Sequence, residues 1–165
     1  MNTVIFFDLE LTLIEDWSNP LLQHHANPAL IPWIKQQGDF KAGLLSFAVW
    51  NERDLTVFNR TLRKDIEDVF GFSFDDGLML IKDQLLAKTR TWEKMPFLSA
   101  DDFADFFNKR KAMADLWLHE FQQPNTRVIL LDDTVPNFTI SSDEVDNCHL
   151  QLVNPLSASF QRHAQ

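Results

Sequence analysis

The chain has 165 residues, 45% of them hydrophobic and 24% charged, with 15 Phe, 5 Trp and only 4 Gly. That composition fills one hydrophobic core and excludes a low-complexity linker or a disordered tail, so a single domain over 1–165 is expected. With 24 acidic against 15 basic residues the net charge is −9, a field that repels phosphate backbones and anionic lipids and makes nucleic acid or a membrane a poor partner.

The first element is Thr3-Val4-Ile5-Phe6-Phe7, a β-branched and aromatic run that stops at Asp8. Continuous apolar runs of this length mark strands buried on both faces, as in parallel sheets. No basic segment precedes the run, and no stretch of the chain approaches the roughly 20 apolar residues of a spanning helix. A soluble, cytoplasmic protein is the expectation. A flap near Glu15 to Asn19 follows, and His24-His25 reads as loop. Asn27-Pro28 then opens a helix with an Asn cap that carries Leu30, Ile31, Trp33 and Ile34 and ends near Gly38.

The run Gly43–Val49 predicts a second strand. Leu55, Phe58, Leu62, Ile66 and Val69 recur at spacings of three and four, which predicts one helix from about Arg53 to Phe70, closed by Gly71. A third helical stretch is expected after Asp76, carrying Leu78, Leu80, Ile81, Leu85 and Leu86. The segment of about 71–98 is longer than a minimal crossover needs and is read as a small helical insertion. Ser99 to Asp102 resembles a cap before the packing stripe Phe103, Phe106 and Phe107, and a fresh helix start is expected at Asn108, leading to Met113, Trp117 and Phe121. Arg127-Val128-Ile129-Leu130-Leu131 predicts another strand, ending at Asp132-Asp133, and Leu150–Val153 a weaker one. Cys148, the only cysteine, excludes an internal disulfide and a thiolate zinc cluster and reads as a buried structural thiol. Alternating strands and helices without a repeat predict an α/β fold with a mainly parallel sheet flanked by helices.

In such sheets, sites form beyond the carboxyl ends of the strands. Here those positions are acidic: Asp8 and Glu10 after the first run, Asp132 and Asp133 after the late one. Carboxylates that converge repel one another unless a cation lies among them, and hard oxygen ligands suit Mg²⁺. The second run contributes Ser46, followed by Trp50 and Asn51. Trp50 and Phe47 suit either a substrate pocket or the core, with packing as the default.

Val4-Ile5-Phe6-Phe7-Asp8-Leu9-Glu10-Leu11-Thr12 resembles the first motif, Asp-x-Asp-x-Thr after a strand, of the haloacid dehalogenase-like (HAD) phosphohydrolases, with Glu10 in place of the second aspartate. Gly43-Leu44-Leu45-Ser46 is similar to the second motif, a strand carrying Ser or Thr. Val128 to Asp133 is similar to the fourth, a strand with an acidic pair, and Asn137 follows as in the small magnesium-dependent phosphatases of that superfamily. The third motif is a lysine: Lys109 occupies the usual place, with Lys111 and Lys82 as rivals.

The resemblance implies a three-layer Rossmann-like fold with a minimal or small helical cap. It also implies a phosphomonoester hydrolase that works through an aspartyl-phosphate on Asp8. In that scheme Glu10 is the acid and base, and Ser46 and Lys109 hold the phosphoryl oxygens. Mg²⁺ is held by Asp8, the Glu10 backbone carbonyl, Asp133 and Asp132. Thr12, Ser46, Asn51 and Trp50 are the expected substrate contacts. The expected partner is a phosphorylated small molecule or macromolecule, and the expected state a monomer or weak homodimer. The alternative is a catalytically impaired relative that binds Mg²⁺ or a phosphorylated ligand in a regulatory role, because Glu10 is one methylene longer than Asp.

Overall fold

A computed structural model describes residues 1–17, 26–88 and 109–163. Strand β1 (Asn2–Phe7) is followed by helix α1 (Leu30–Gln36), strand β2 (Lys41–Leu44), helices α2 (Glu52–Thr61) and α3 (Arg63–Phe70), and strand β3 (Phe74–Met79). Then come helices α4 (Lys82–Lys88) and α5 (Lys109–Glu120), strands β4 (Thr126–Leu131), β5 (Phe138–Ser141) and β6 (Cys148–Val153), and helix α6 (Ala158–His163). The six strands form one sheet in the order β3-β2-β1-β4-β6-β5. All pairings are parallel except β5 with β6. The expected α/β class with a mainly parallel sheet flanked by helices therefore holds.

The sheet is two-sided because side chains alternate along each strand. On β1, Ile5 and Phe7 join a core with Trp33 and Ile34 of α1, Phe58 of α2, Ile66 and Phe70 of α3 and Phe160 of α6. Val4 and Phe6 join the opposite core with Leu85 of α4 and Ala112, Met113, Leu116 and Trp117 of α5. Many of the phenylalanines gather on the first face, where Phe7 stacks on Phe72 at 4.9 Å and meets Phe74 edge-on at 6.4 Å. Each fully buried phenylalanine contributes about 1.5–3 kcal/mol relative to exposure. Consistent with this two-sided burial, β1 reads as an unbroken apolar run.

Several predicted elements differ in detail. The single helix over 53–70 is two helices, parted at the buried Leu62, whose φ of −97° departs from the helical value. Gly71 does close α3, in the left-handed region at φ 76°. Asn27 is not the cap of α1. Its side chain accepts a hydrogen bond from the Ala29 N–H at 3.1 Å in a turn that precedes the helix, and Pro32 falls in the first turn, where no intrahelical donor is needed.

The helical stretch expected from Asp76 is instead strand β3, and α4 begins only at Lys82. Pairing with β2 overrides the helical spacing: Met79 lies opposite Leu44, and the Leu80 N–H donates to the Leu44 carbonyl at 2.8 Å. Of the segment read as a small helical insertion, about 71–98, residues 74–79 form β3 and 82–88 form α4, and 89–98 lie outside the described residues. Strand β5, with a largely exposed FTIS sequence, gives no apolar run and is not predicted. Cys148 is buried as expected and opens β6. His24-His25, Ser99 to Asp102, Phe103, Phe106, Phe107 and Asn108 lie outside the described residues.

At Gly43 a β-carbon would stand 2.6 Å from both the Leu78 carbonyl oxygen and the Phe6 ring. Backbone and a fully buried ring give way poorly. Gly43→Ala is expected to destabilise the protein by about 1–3 kcal/mol, read from the denaturation midpoint.

Candidate active site at the strand ends

The sheet's strand order reverses between β1 and β4, the place where α/β sheets open a crevice at their carboxyl ends. The register continues past both strands. Phe7 is opposite Leu131, the Asp8 N–H donates to the Leu131 carbonyl at 2.9 Å, and the Asp132 N–H donates to the Val153 carbonyl at 3.0 Å. Asp8 and Asp132 are thereby set side by side at the ends of neighbouring strands. On the other flank the Leu45 N–H donates to the Phe7 carbonyl at 2.9 Å, which brings the end of β2 alongside.

Lys109, the first residue of α5, reaches into this junction. Its Nζ donates to Asp8 Oδ1 at 3.0 Å, to Asp132 Oδ2 at 2.6 Å and, more weakly, to the Leu45 carbonyl at 3.4 Å. All three ionic side chains are buried. Asp132 uses its other oxygen to accept the Thr134 N–H at 2.7 Å and hydroxyl at 2.6 Å. Carboxylate oxygens of Asp8, Asp132 and half-buried Asp133 lie within 4.8 Å of one another.

One ammonium does not neutralise three carboxylates. Burial lifts the Asp8 carboxyl from the ordinary 3.8 to about 7 against the pull of Lys109, and the Asp132 charge and a hydrogen bond with Asp133 add to the rise. A hard divalent cation would answer the same demand, and three carboxylates within 4.8 Å of one another, of which Asp132 is already held by Lys109 and Thr134, are a donor set that could hold Mg²⁺.

The remaining predicted residues are placed as follows. Glu10 is exposed and its carboxylate is not in the cluster; it lies in a tight loop in which Leu11 adopts φ 58° and the Leu9 carbonyl accepts the N–H groups of Thr12, Leu13 and Ile14. Leu11 carries the cost of a left-handed non-glycine, of order 1 kcal/mol. Thr12 is fully buried in that loop, and its hydroxyl has no hydrogen-bond partner among the described residues.

Ser46 is buried beside Leu45. Its Oγ accepts the Ala48 N–H at 3.2 Å, which leaves the hydroxyl proton available to donate. Asn51, expected to touch substrate, caps α2: its side chain accepts the Asp54 N–H at 2.8 Å while Asp54 accepts the Asn51 N–H at 3.3 Å. That reciprocal box fully explains an Asn at this position. Trp50 is buried in the second core and packs on Phe47 with ring centroids 5.4 Å apart. Asn137 accepts the Asn154 N–H at 2.8 Å and donates to Ser159 at 3.3 Å, joining the loops before β5 and α6.

Among the described side chains, Lys109 is the candidate lysine brought to Asp8 and Asp132, and the Lys111 side chain lies outside them. Lys82 starts α4, where its backbone N–H donates to the Trp50 carbonyl at 2.9 Å. Thr134 is the functional neighbour that the sequence reading missed; a Thr two residues after a strand-end Asp is the signal that could have found it. No known protein family, curated protein or solved structure matches the chain.

Two outcomes follow from this geometry. Because the folded pKa of Asp8 exceeds its unfolded value, the folded state binds more protons between about pH 4 and 7, and the contribution of Asp8 to stability falls as pH rises through that window. In chelator, the Tm of Asp8→Asn minus that of wild type is expected to grow from pH 4.5 to 8; a constant difference would contradict it. Lys109→Met strands two buried carboxylates and is expected to cost about 3–5 kcal/mol at pH 7.5, less at pH 5, by denaturant titration.

Proposed function

We propose that the protein is a Mg²⁺-dependent phosphomonoester hydrolase that works through an aspartyl-phosphate on Asp8. The observation that carries this reading is the buried Lys109 ammonium joining Asp8 to Asp132, with Asp133 alongside, at the carboxyl ends of β1 and β4. The similarity of 4–12, 43–46 and 128–133 to HAD motifs supports it independently.

Lys109 holds Asp8 Oδ1, which fixes the carboxylate plane and leaves Oδ2 for in-line attack on phosphorus. The Asp8 oxygen–phosphorus bond forms as the ester phosphorus–oxygen bond breaks, and the leaving oxygen takes a proton from Glu10. Water then attacks the phosphorus, gives a proton to Glu10, and releases Asp8 and inorganic phosphate. The Ser46 hydroxyl and Lys109 donate to the non-bridging oxygens, since phosphoryl transfer depends mainly on positioning and charge stabilisation. Asp8, Asp133 and the Glu10 carbonyl would hold Mg²⁺, whose charge would offset repulsion between the nucleophile and the phosphate.

Glu10 also favours a second reading. It stands where the resembled motif has Asp and its carboxylate is exposed outside the cluster, which suits a protein that binds Mg²⁺ or phosphate without turnover. Hydrolysis of a generic aryl phosphate separates the two. Turnover that requires Mg²⁺ and drops by about three orders of magnitude in Asp8→Asn is expected. No turnover by wild type, with calorimetric binding of Mg²⁺ retained, overturns the enzyme reading in favour of the second.

A further inference from the structure

The Lys109 ammonium has one more neighbour. The ring of Phe47 lies against it, 4.8 Å from Nζ to the centroid. Lys109 is 6% exposed and Phe47 39%, so the ring is the more exposed partner of this contact.

The chain holds this ring in place from both directions. Phe47 and Ala48 are the central residues of a turn in which the Val49 N–H donates to the Ser46 carbonyl at 3.2 Å, and Ser46 Oγ binds the Ala48 N–H. On one side the turn is tied to β1 through the Leu45 N–H. On the other, the Trp50 N–H donates to Asp54 Oδ2 at 3.0 Å and the Trp50 carbonyl accepts the Lys82 N–H at 2.9 Å. The Trp50 ring then packs on that of Phe47 at 58°.

The chemistry of the contact is selective. An ammonium has three N–H donors, and here they point to Asp8, Asp132 and, at the long distance of 3.4 Å, the Leu45 carbonyl. The third is the weakest bond and the one a phosphoryl oxygen can replace. A ring face attracts the cation through its quadrupole without competing as a carboxylate or carbonyl would, whereas an aliphatic side chain covers the ammonium without attracting it.

We propose that Phe47 is a positioning residue for Lys109: its ring holds the ammonium between Asp8 and Asp132, so that an arriving phosphoryl group meets a lysine already aimed. The catalytic part of this statement rests on the phosphohydrolase reading; the placement of Lys109 does not.

The test compares Phe47→Leu, which keeps apolar cover, with Phe47→Tyr, which keeps the π face. Phe47→Leu is expected to lower kcat on the aryl phosphate and the affinity for inorganic phosphate by about tenfold each, and Phe47→Tyr to recover most of both losses. In ¹⁵N spectra the Lys109 ammonium protons of wild type and Phe47→Tyr are expected to be displaced upfield by the ring current, and those of Phe47→Leu not. If Phe47→Leu matches wild type in kcat and phosphate affinity while Asp8→Asn is inactive, the positioning role is overturned and the phosphohydrolase reading stands. If wild type shows no turnover, the phosphohydrolase reading falls and the ammonium spectrum decides: displacement lost in Phe47→Leu upholds the placement, and an unchanged resonance overturns it.

Discussion

One buried ammonium ties together three strand ends that are far apart in the chain. Lys109 is 101 residues from Asp8, 64 from Leu45 and 23 from Asp132, yet its Nζ contacts all three. Removing three charged side chains from water costs several kcal/mol per ion, and their mutual attraction only roughly offsets that cost. As a stabilising device, apolar packing would serve at least as well. What the arrangement does achieve is an Asp8 carboxyl held by Lys109 at one oxygen and lifted by burial well above the usual carboxylate range.

The sheet makes this junction possible. Since β1 is central, its side chains supply both cores, and its carboxyl end is flanked by β2 on one side and β4 on the other. Apolar burial on the two faces sets the register, and the register sets Asp8 against Asp132. Where the apolar run ends, the next residue on each strand has nowhere to go but the crevice. The aromatic turn after β2 places the Phe47 ring against Lys109, and its own anchors lie in the α2 cap and the start of α4.

Much of the site was legible in the chain, for a definite reason. A strand buried on both faces needs an unbroken apolar run, so the first charged residue after it marks the strand end; this located Asp8 and Asp132-Asp133. Short edge elements carry no such mark. Strand β5 is exposed and polar, β3 mixes Asp75, Asp76 and Gly77 with apolar residues, and both exist because a neighbouring strand supplies the hydrogen bonds. Asn51 was legible only as a polar residue, because a capping side chain and a ligand-binding side chain are the same residue type; its capping role is seen only in the bonds to Asp54.

By itself the sequence determined the α/β class, the strands β1 and β4, the two-sided core and the acidic strand ends, since each follows from burial periodicity within a few consecutive residues. The tertiary structure alone decided which lysine enters the cluster, that Glu10 stays outside it, that one predicted helix is two, and that β3 and β5 complete the sheet. Those outcomes depend on contacts between segments tens of residues apart, and the free energy that selects them comes from pairing, desolvation and charge in the assembled fold, which no local pattern records.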